Sequence, residues 1–138
     1  MINEKSCGAI VHLKKASEIF YLLLHYEAGH WDFVKGNIEL NETEKETTIR
    51  ELREETGIID AHFIDGFREQ IEYYYRRQGQ TVHKQVVFYL METNTEIVTI
   101  SFEHIDSIWL NYTRALEQLS FKNEKDLLKK ANEYLNKK

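Results

Sequence analysis

Proline is absent from the 138 residues, against an average usage of about 5%. Loops in this chain therefore lack one of their usual punctuators. Cysteine occurs once, as Cys7 inside an apolar run, which excludes a disulfide framework and reads as a buried thiol in a reducing compartment. With no Cys or His cluster beside it, a structural zinc site is excluded as well. An excess of basic residues is also missing: the net charge is −5, which argues against polymeric nucleic acid as the main partner. Long hydrophobic runs are absent, since Ile19 to Leu24 and Val86 to Met91 are far too short to cross a bilayer. Met1 to Lys5 is polar, and no signal-peptide pattern follows it. The expectation is a soluble, cytoplasmic protein without membrane partners.

What is present is an ordinary globular composition, 42% hydrophobic and 30% charged. It is enough for one domain, residues 1–138, with a sizeable core. No repeat, linker or low-complexity tract divides the chain. Strands are expected over Cys7 to Leu13, Glu18 to His25, Ile58 to Phe67, Glu69 to Tyr75 and His83 to Met91, with short ones over Glu96 to Phe102 and Ser107 to Leu110. Glu27 to Asn41 reads as a loop. Thr43, followed three residues later by Glu46, has capping-box spacing and opens a helix that Gly57 closes. Two more helices are expected, over Tyr112 to Leu119 and Lys122 to Lys138. The second carries Leu127, Leu128, Ala131, Tyr134 and Leu135 on one face. Strands first, a helix among them and helices last point to an α+β or mixed α/β sandwich.

The stretch "RELREETG" (50–57) crowds Glu51, Glu54 and Glu55 onto one face of the first helix. Like charges at that spacing each cost about 0.2–0.5 kcal/mol. Carboxylates in a last helical turn also oppose the helix dipole. A hard divalent cation such as Mg²⁺ or Mn²⁺ would compensate for both. A plain solvated face with an Arg50–Glu54 pair is the alternative reading of the cluster on its own.

The longer stretch "GNIELNETEKETTIRELREETGI" (36–58) carries Gly36, Glu42, Arg50, Glu51, Leu52, Glu54, Glu55, Gly57 and Ile58 at fixed spacing. It resembles the box motif of the Nudix hydrolases. The resemblance implies an α/β/α sandwich: a mixed sheet with the box helix on one face and the C-terminal helices on the other. It also implies roles. Glu54 and Glu55 would ligate the cation together with the backbone carbonyl of Gly36. Glu51 would handle the attacking water or a second metal, with Arg50 orienting it. Leu52 and Gly57 would be structural, and Glu42 would support the loop–helix geometry.

Outside the box, "CGAIV" (7–11), "HWDFVKG" (30–36), "GFREQIEYYYRRQGQTVHKQVVFYL" (66–90), "SFEHIDSIWL" (101–110) and "LSFKNEKDLL" (119–128) are similar to segments of the asymmetrical diadenosine tetraphosphate hydrolases. By that likeness His30, Lys35 and Lys84 would contact the phosphate chain. Glu103 would join the metal site or act as a base. Tyr73 and Phe121 would sandwich an adenine, since base stacking is worth about 1–3 kcal/mol per base. His83, next to Lys84 in a strand, would point the other way. Trp31, Trp109 and Tyr112 read as packing residues. The implied reaction is cleavage of a dinucleoside polyphosphate to ATP and AMP by a monomer or weak dimer. Another Nudix substrate (ADP-ribose, an oxidised deoxynucleotide or an RNA 5′-triphosphate) and a non-catalytic nucleotide-binding module remain open at this point. Val34 stands where the family has proline, "ELNE" lacks a proline–glycine pair, and Thr48 replaces a common alanine. These departures are expected to loosen the loop before the helix.

Overall fold

The structure, a computed structural model, describes residues 1–137. β1 (Ile2–Lys15) and β2 (Glu18–Tyr26) form a hairpin through Ala16 and Ser17. Both turn residues have positive φ, 52° and 68°, the geometry that matches the twist of a two-residue hairpin. β3 (Trp31–Asp32) and β4 (Val34–Asn37) follow, then α1 (Glu44–Thr56). β5 (His62–Arg77) and β6 (Gln80–Glu92) make a long antiparallel hairpin. β7 (His104–Asn111), α2 (Tyr112–Gln118) and α3 (Lys122–Leu135) complete the chain.

β1 lies at the centre of a mixed sheet. It runs parallel to β6 from Ile2 to His12, while its other edge pairs with β4 over Ser6 to Ala9 and with β2 over His12 to Lys15. β2 in turn carries β3 and β7 on its two edges. The sheet therefore splits where β1 and β2 diverge, and Phe33 carries the chain across from one branch to the other. Alternation along the strands feeds two cores. Ile10, Tyr21, Leu23, Phe88 and Leu90 pack beneath Ala115, Leu119, Leu127, Leu128 and Ala131 of the C-terminal helices. Ala9, Val11, Leu22, Leu24 and Met91 pack beneath Leu52 of α1 and Ile58. This is the expected sandwich, with α1 on one face and α2 and α3 on the other.

Several boundaries differ from expectation. The segment Glu27 to Asn41 is not all loop, because β3 and β4 fill the split in the sheet. The two strands expected over 58–75 are one, β5, which begins only at His62 and has a register shift between Phe63 and Arg68. Glu96 to Phe102 is not a strand. The Thr99 and Ser101 N–H groups instead donate to the Thr56 and Glu55 carbonyls at 3.0 and 3.3 Å, so this segment satisfies the open end of α1. α3 ends at Leu135, and Lys138 lies outside the described residues. No helix among those described is long and apolar enough to cross a membrane.

Candidate active site

α1 has the capping box its sequence promised. The Thr43 hydroxyl accepts from the Glu46 N–H, the Glu46 carboxylate accepts from the Thr43 N–H, and Gly57 closes the helix with φ 77°. Leu52 is buried beneath the helix. The polar face is organised by Arg50. Its Nε donates to Glu42 at 2.7 Å, its Nη1 to Glu51 at 2.7 Å and to Glu54 at 2.9 Å, and its Nη2 to the Asn37 carbonyl at 3.0 Å. The Arg50 guanidinium and the Thr47 hydroxyl hold the Glu42 carboxyl well below the usual range. Glu42 also accepts from the Glu39 N–H, so the proline-free loop before α1 is pinned rather than loose. Gly36 on β4 meets the far end of Glu51: a Cβ there would stand 1.9 Å from the Glu51 carboxyl carbon. Only glycine permits this approach.

Glu55 is buried, and its Oε1 lacks a hydrogen-bond donor. His104 Nε2, equally unsatisfied, faces that oxygen at 3.7 Å. Burial above all, then Glu51 and Glu103, raises the Glu55 carboxyl far above its usual range. Glu103, on the turn entering β7, is thus near enough to act on this centre. Among the described residues, however, no three His, Cys, Asp or Glu side chains already surround one point. Arg50 spans Glu51 and Glu54 instead, and the Glu54 side chain remains 53% exposed. The donor chemistry nonetheless suits a divalent cation. An orphaned, buried carboxylate oxygen adjoins two more carboxylates and the Gly36 segment, all hard oxygen donors.

Beside this centre lies a cavity of about 410 Å³, lined by His30, Lys35, Tyr73, Phe121, Lys122, Asn123 and Glu124. Four residues scattered from position 30 to 121 thus share one wall-to-wall space. Tyr26 links it to the acidic centre: its ring stacks on His30 at 4.7 Å and meets His104 edge-on at 4.4 Å. Burial lowers the pKa of both histidines. Lys84 is outside the cavity lining. It is directly across from Tyr73 in the β5–β6 register, and its ammonium donates to Asn37 Oδ1 at 2.8 Å. His83 points to the opposite face, stacked on Tyr74 at 4.7 Å. Trp31, Trp109 and Tyr112 pack against the two cores as expected.

Sequence reasoning missed His104, Tyr26, Asp32 and Glu124. His104 and Asp32 sit inside motifs already singled out, next to Glu103 and two residues after His30. Nothing local marks Glu124, which is buried at the start of α3.

The NUDIX domain family matches residues 5–131. The asymmetrical bis(5′-nucleosyl)-tetraphosphatase of Mus musculus is 33% identical, over 95% of each chain. The dihydroneopterin triphosphate diphosphatase of Haemophilus influenzae is 26% identical, over 93% of this chain and 87% of its own. Among solved structures, a C. elegans Ap4A hydrolase binary complex superposes with a TM-score of 0.85 at 27% identity, covering 96% of this chain and 97% of that one. Enzymes of this family use divalent metal ions. A box helix with its glutamates gathered under one arginine, an adjoining cavity and these likenesses agree: the chain belongs to the Nudix hydrolases of nucleoside polyphosphates.

Proposed function

We propose that this Nudix domain hydrolyses diadenosine tetraphosphate asymmetrically, giving ATP and AMP, with Mg²⁺ or Mn²⁺ as cofactor. The observation that carries the reading is the single cavity shared by His30, Lys35, Tyr73 and Phe121 next to the box helix. The tetraphosphatase relatives support the same substrate. Glu54, Glu55, the Gly36 carbonyl and, from the side, Glu103 would hold the cation. When bound, such an ion neutralises phosphate charge and lowers the pKa of a coordinated water. Glu51, aimed by Arg50, receives the proton of the attacking water as it adds to phosphorus in line with the departing phosphate. Tyr73 and Phe121 stack on one adenine, while His30, Lys35 and Lys84 oppose charge on the phosphate chain. Positioning and charge neutralisation account for most of the rate. The domain acts in the cytoplasm as a monomer or weak dimer, a setting consistent with its single free, buried cysteine.

Product analysis by chromatography tests this directly. Diadenosine tetraphosphate, ADP-ribose, an oxidised deoxyguanosine triphosphate and a 5′-triphosphorylated RNA are offered with Mg²⁺ and with EDTA. Equal ATP and AMP, formed fastest from the dinucleotide and abolished by EDTA, is the expected result. A faster reaction with any other substrate discards the dinucleotide assignment.

A further inference from the structure

The floor of the cavity holds two buried acids that the reaction does not use. Glu124, in the first turn of α3, lines the cavity and is 4% exposed. Asp32 on β3 is fully buried against it. Asp32 Oδ1 accepts from the Phe33 N–H at 2.6 Å. Lys35 Nζ stands 3.1 Å from Asp32 Oδ2 but off the direction of a hydrogen bond, which leaves that oxygen without a donor. Burying two carboxylates side by side is costly unless they share a proton. The Lys35 ammonium sits on Asp32, so the shared proton belongs on Glu124. Burial first, and Asp32 second, push the Glu124 carboxyl up to about 8. Two acids in contact are thereby sorted into different roles by their surroundings.

A protonated carboxyl offers one O–H donor beside one carbonyl acceptor, whereas a carboxylate only accepts. Adenine presents a donor and an acceptor side by side: the N6 amino group with N1 on one edge and with N7 on the other. Guanine presents two donors on its Watson–Crick edge, or two acceptors on the other. Aromatic walls at Tyr73 and Phe121 hold a ring by its faces and leave its edge toward the floor.

We propose that Glu124 is the base-reading residue of this site, pairing through its carboxyl with the donor–acceptor edge of an adenine stacked between Tyr73 and Phe121, and that Asp32 and Lys35 position it. The proposal rests on the reading of the cavity as a nucleobase pocket. It has a pH signature. The groups facing Glu124 are Asp32 from β3, Lys35 from β4, Tyr73 from β5 and His30 from the loop before β3, with Lys122 on its own helix. Burial has already lowered the pKa of His30. That of Lys35 is lowered by burial but raised on balance by Asp32 and its neighbours. Neither titrates in the window where Glu124 does. Loss of the Glu124 proton replaces a donor with a second acceptor, which repels N1 or N7 of adenine and suits the two donors of guanine.

The test is calorimetric binding of AMP and of GMP in EDTA, at about pH 7 and about pH 9.5, either side of the Glu124 titration. The intact chain, Glu124→Gln and Glu124→Leu are compared. Gln keeps one donor and one acceptor at every pH. The intact chain is expected to favour AMP roughly tenfold or more at the lower pH, the scale of a two-bond edge contact, and to lose most of that preference at the higher. Glu124→Gln should keep the preference at both, and Glu124→Leu should bind both nucleotides with little discrimination. An AMP-to-GMP ratio that is unchanged in Glu124→Leu, or is insensitive to pH in the intact chain, overturns the role of Glu124 while leaving the pocket. Failure of the intact chain to bind either nucleotide overturns the pocket itself.

Discussion

Alanine at Gly36 probes how closely the site depends on the placing of Glu51. The new Cβ would lie 1.9 Å from the Glu51 carboxyl carbon and 2.2 and 2.3 Å from its oxygens. Carbon contacts settle near 3.5–4.0 Å, so the carboxylate must retreat by roughly 1.5 Å. Gly36 does not have positive φ, and the group in the way is the end of a flexible side chain rather than backbone. The fold therefore loses little more than the Arg50–Glu51 hydrogen bond, about 1–2 kcal/mol. Arg50 keeps Glu42 and the Asn37 carbonyl. Catalysis should suffer far more, since a displacement of about 1 Å in a positioned group costs on the order of 10²-fold. Steady-state kinetics on diadenosine tetraphosphate, paired with thermal unfolding, separates the two effects. The expectation is a kcat lower by at least about 10²-fold and a Tm lower by only a few degrees. Gly8→Ala is the contrast: its Cβ would meet the Val34 carbonyl oxygen at 2.0 Å, backbone that cannot step aside, and the fold itself should fail. Wild-type kcat in Gly36→Ala would refute the view that Glu51 is held by this contact for the reaction.

Four further outcomes are expected. Glu54→Gln should lower turnover by orders of magnitude yet leave chemical denaturation almost unchanged, because its half-exposed pair with Arg50 is worth about 0–1 kcal/mol. Leu128→Ala, fully buried between α3 and the sheet, should cost about 2–5 kcal/mol in urea unfolding. Cys7, fully buried and pushed up to about 11 by that burial, should resist a thiol reagent in the native state and react only on unfolding. Glu124 binds its proton more tightly in the folded chain than in the unfolded one. Its contribution should therefore be fully present below the unfolded carboxyl pKa and lost as pH rises toward about 8. Glu124→Gln should consequently match the intact chain in acid and exceed it in denaturation experiments above that pH.

What could be read in the sequence was local or carried by a motif. Thr43, Glu46 and Gly57 announce α1 because caps act within a few residues of the helix end. The glutamate face follows from helical spacing alone. β3 and β4 were hidden, since strands of two and four residues exist only through the partners that hold them. Val98 and Ile100 pack on the core beneath α1, and their alternation imitates a strand. The backbone of that segment instead finds the carbonyls at the end of α1, a tertiary choice that propensity does not encode. Within the site, the resemblance grouped His30, Lys35, Tyr73 and Phe121. The contact of Asp32 with Glu124 joins distant parts of the chain and had no signal in spacing or composition.

The parallel pairing of β1 with β6 has a consequence for how this molecule assembles. Ile2 must find Val82, and His12 must find Glu92, so the first strand made waits for some 80 residues before its central edge is completed. Long-range closure of this kind is slow relative to hairpin formation. β4 pairs with β1 over Ser6 to Ala9, and Gly36 is opposite Cys7. The contact between Gly36 and Glu51 is therefore fixed in place only when that central strand is. Refolding should lack the slow phase of prolyl isomerisation altogether, there being no proline to isomerise. Its rate should instead report the docking of β1, and enzymatic competence should return with that step rather than with the earlier formation of α1.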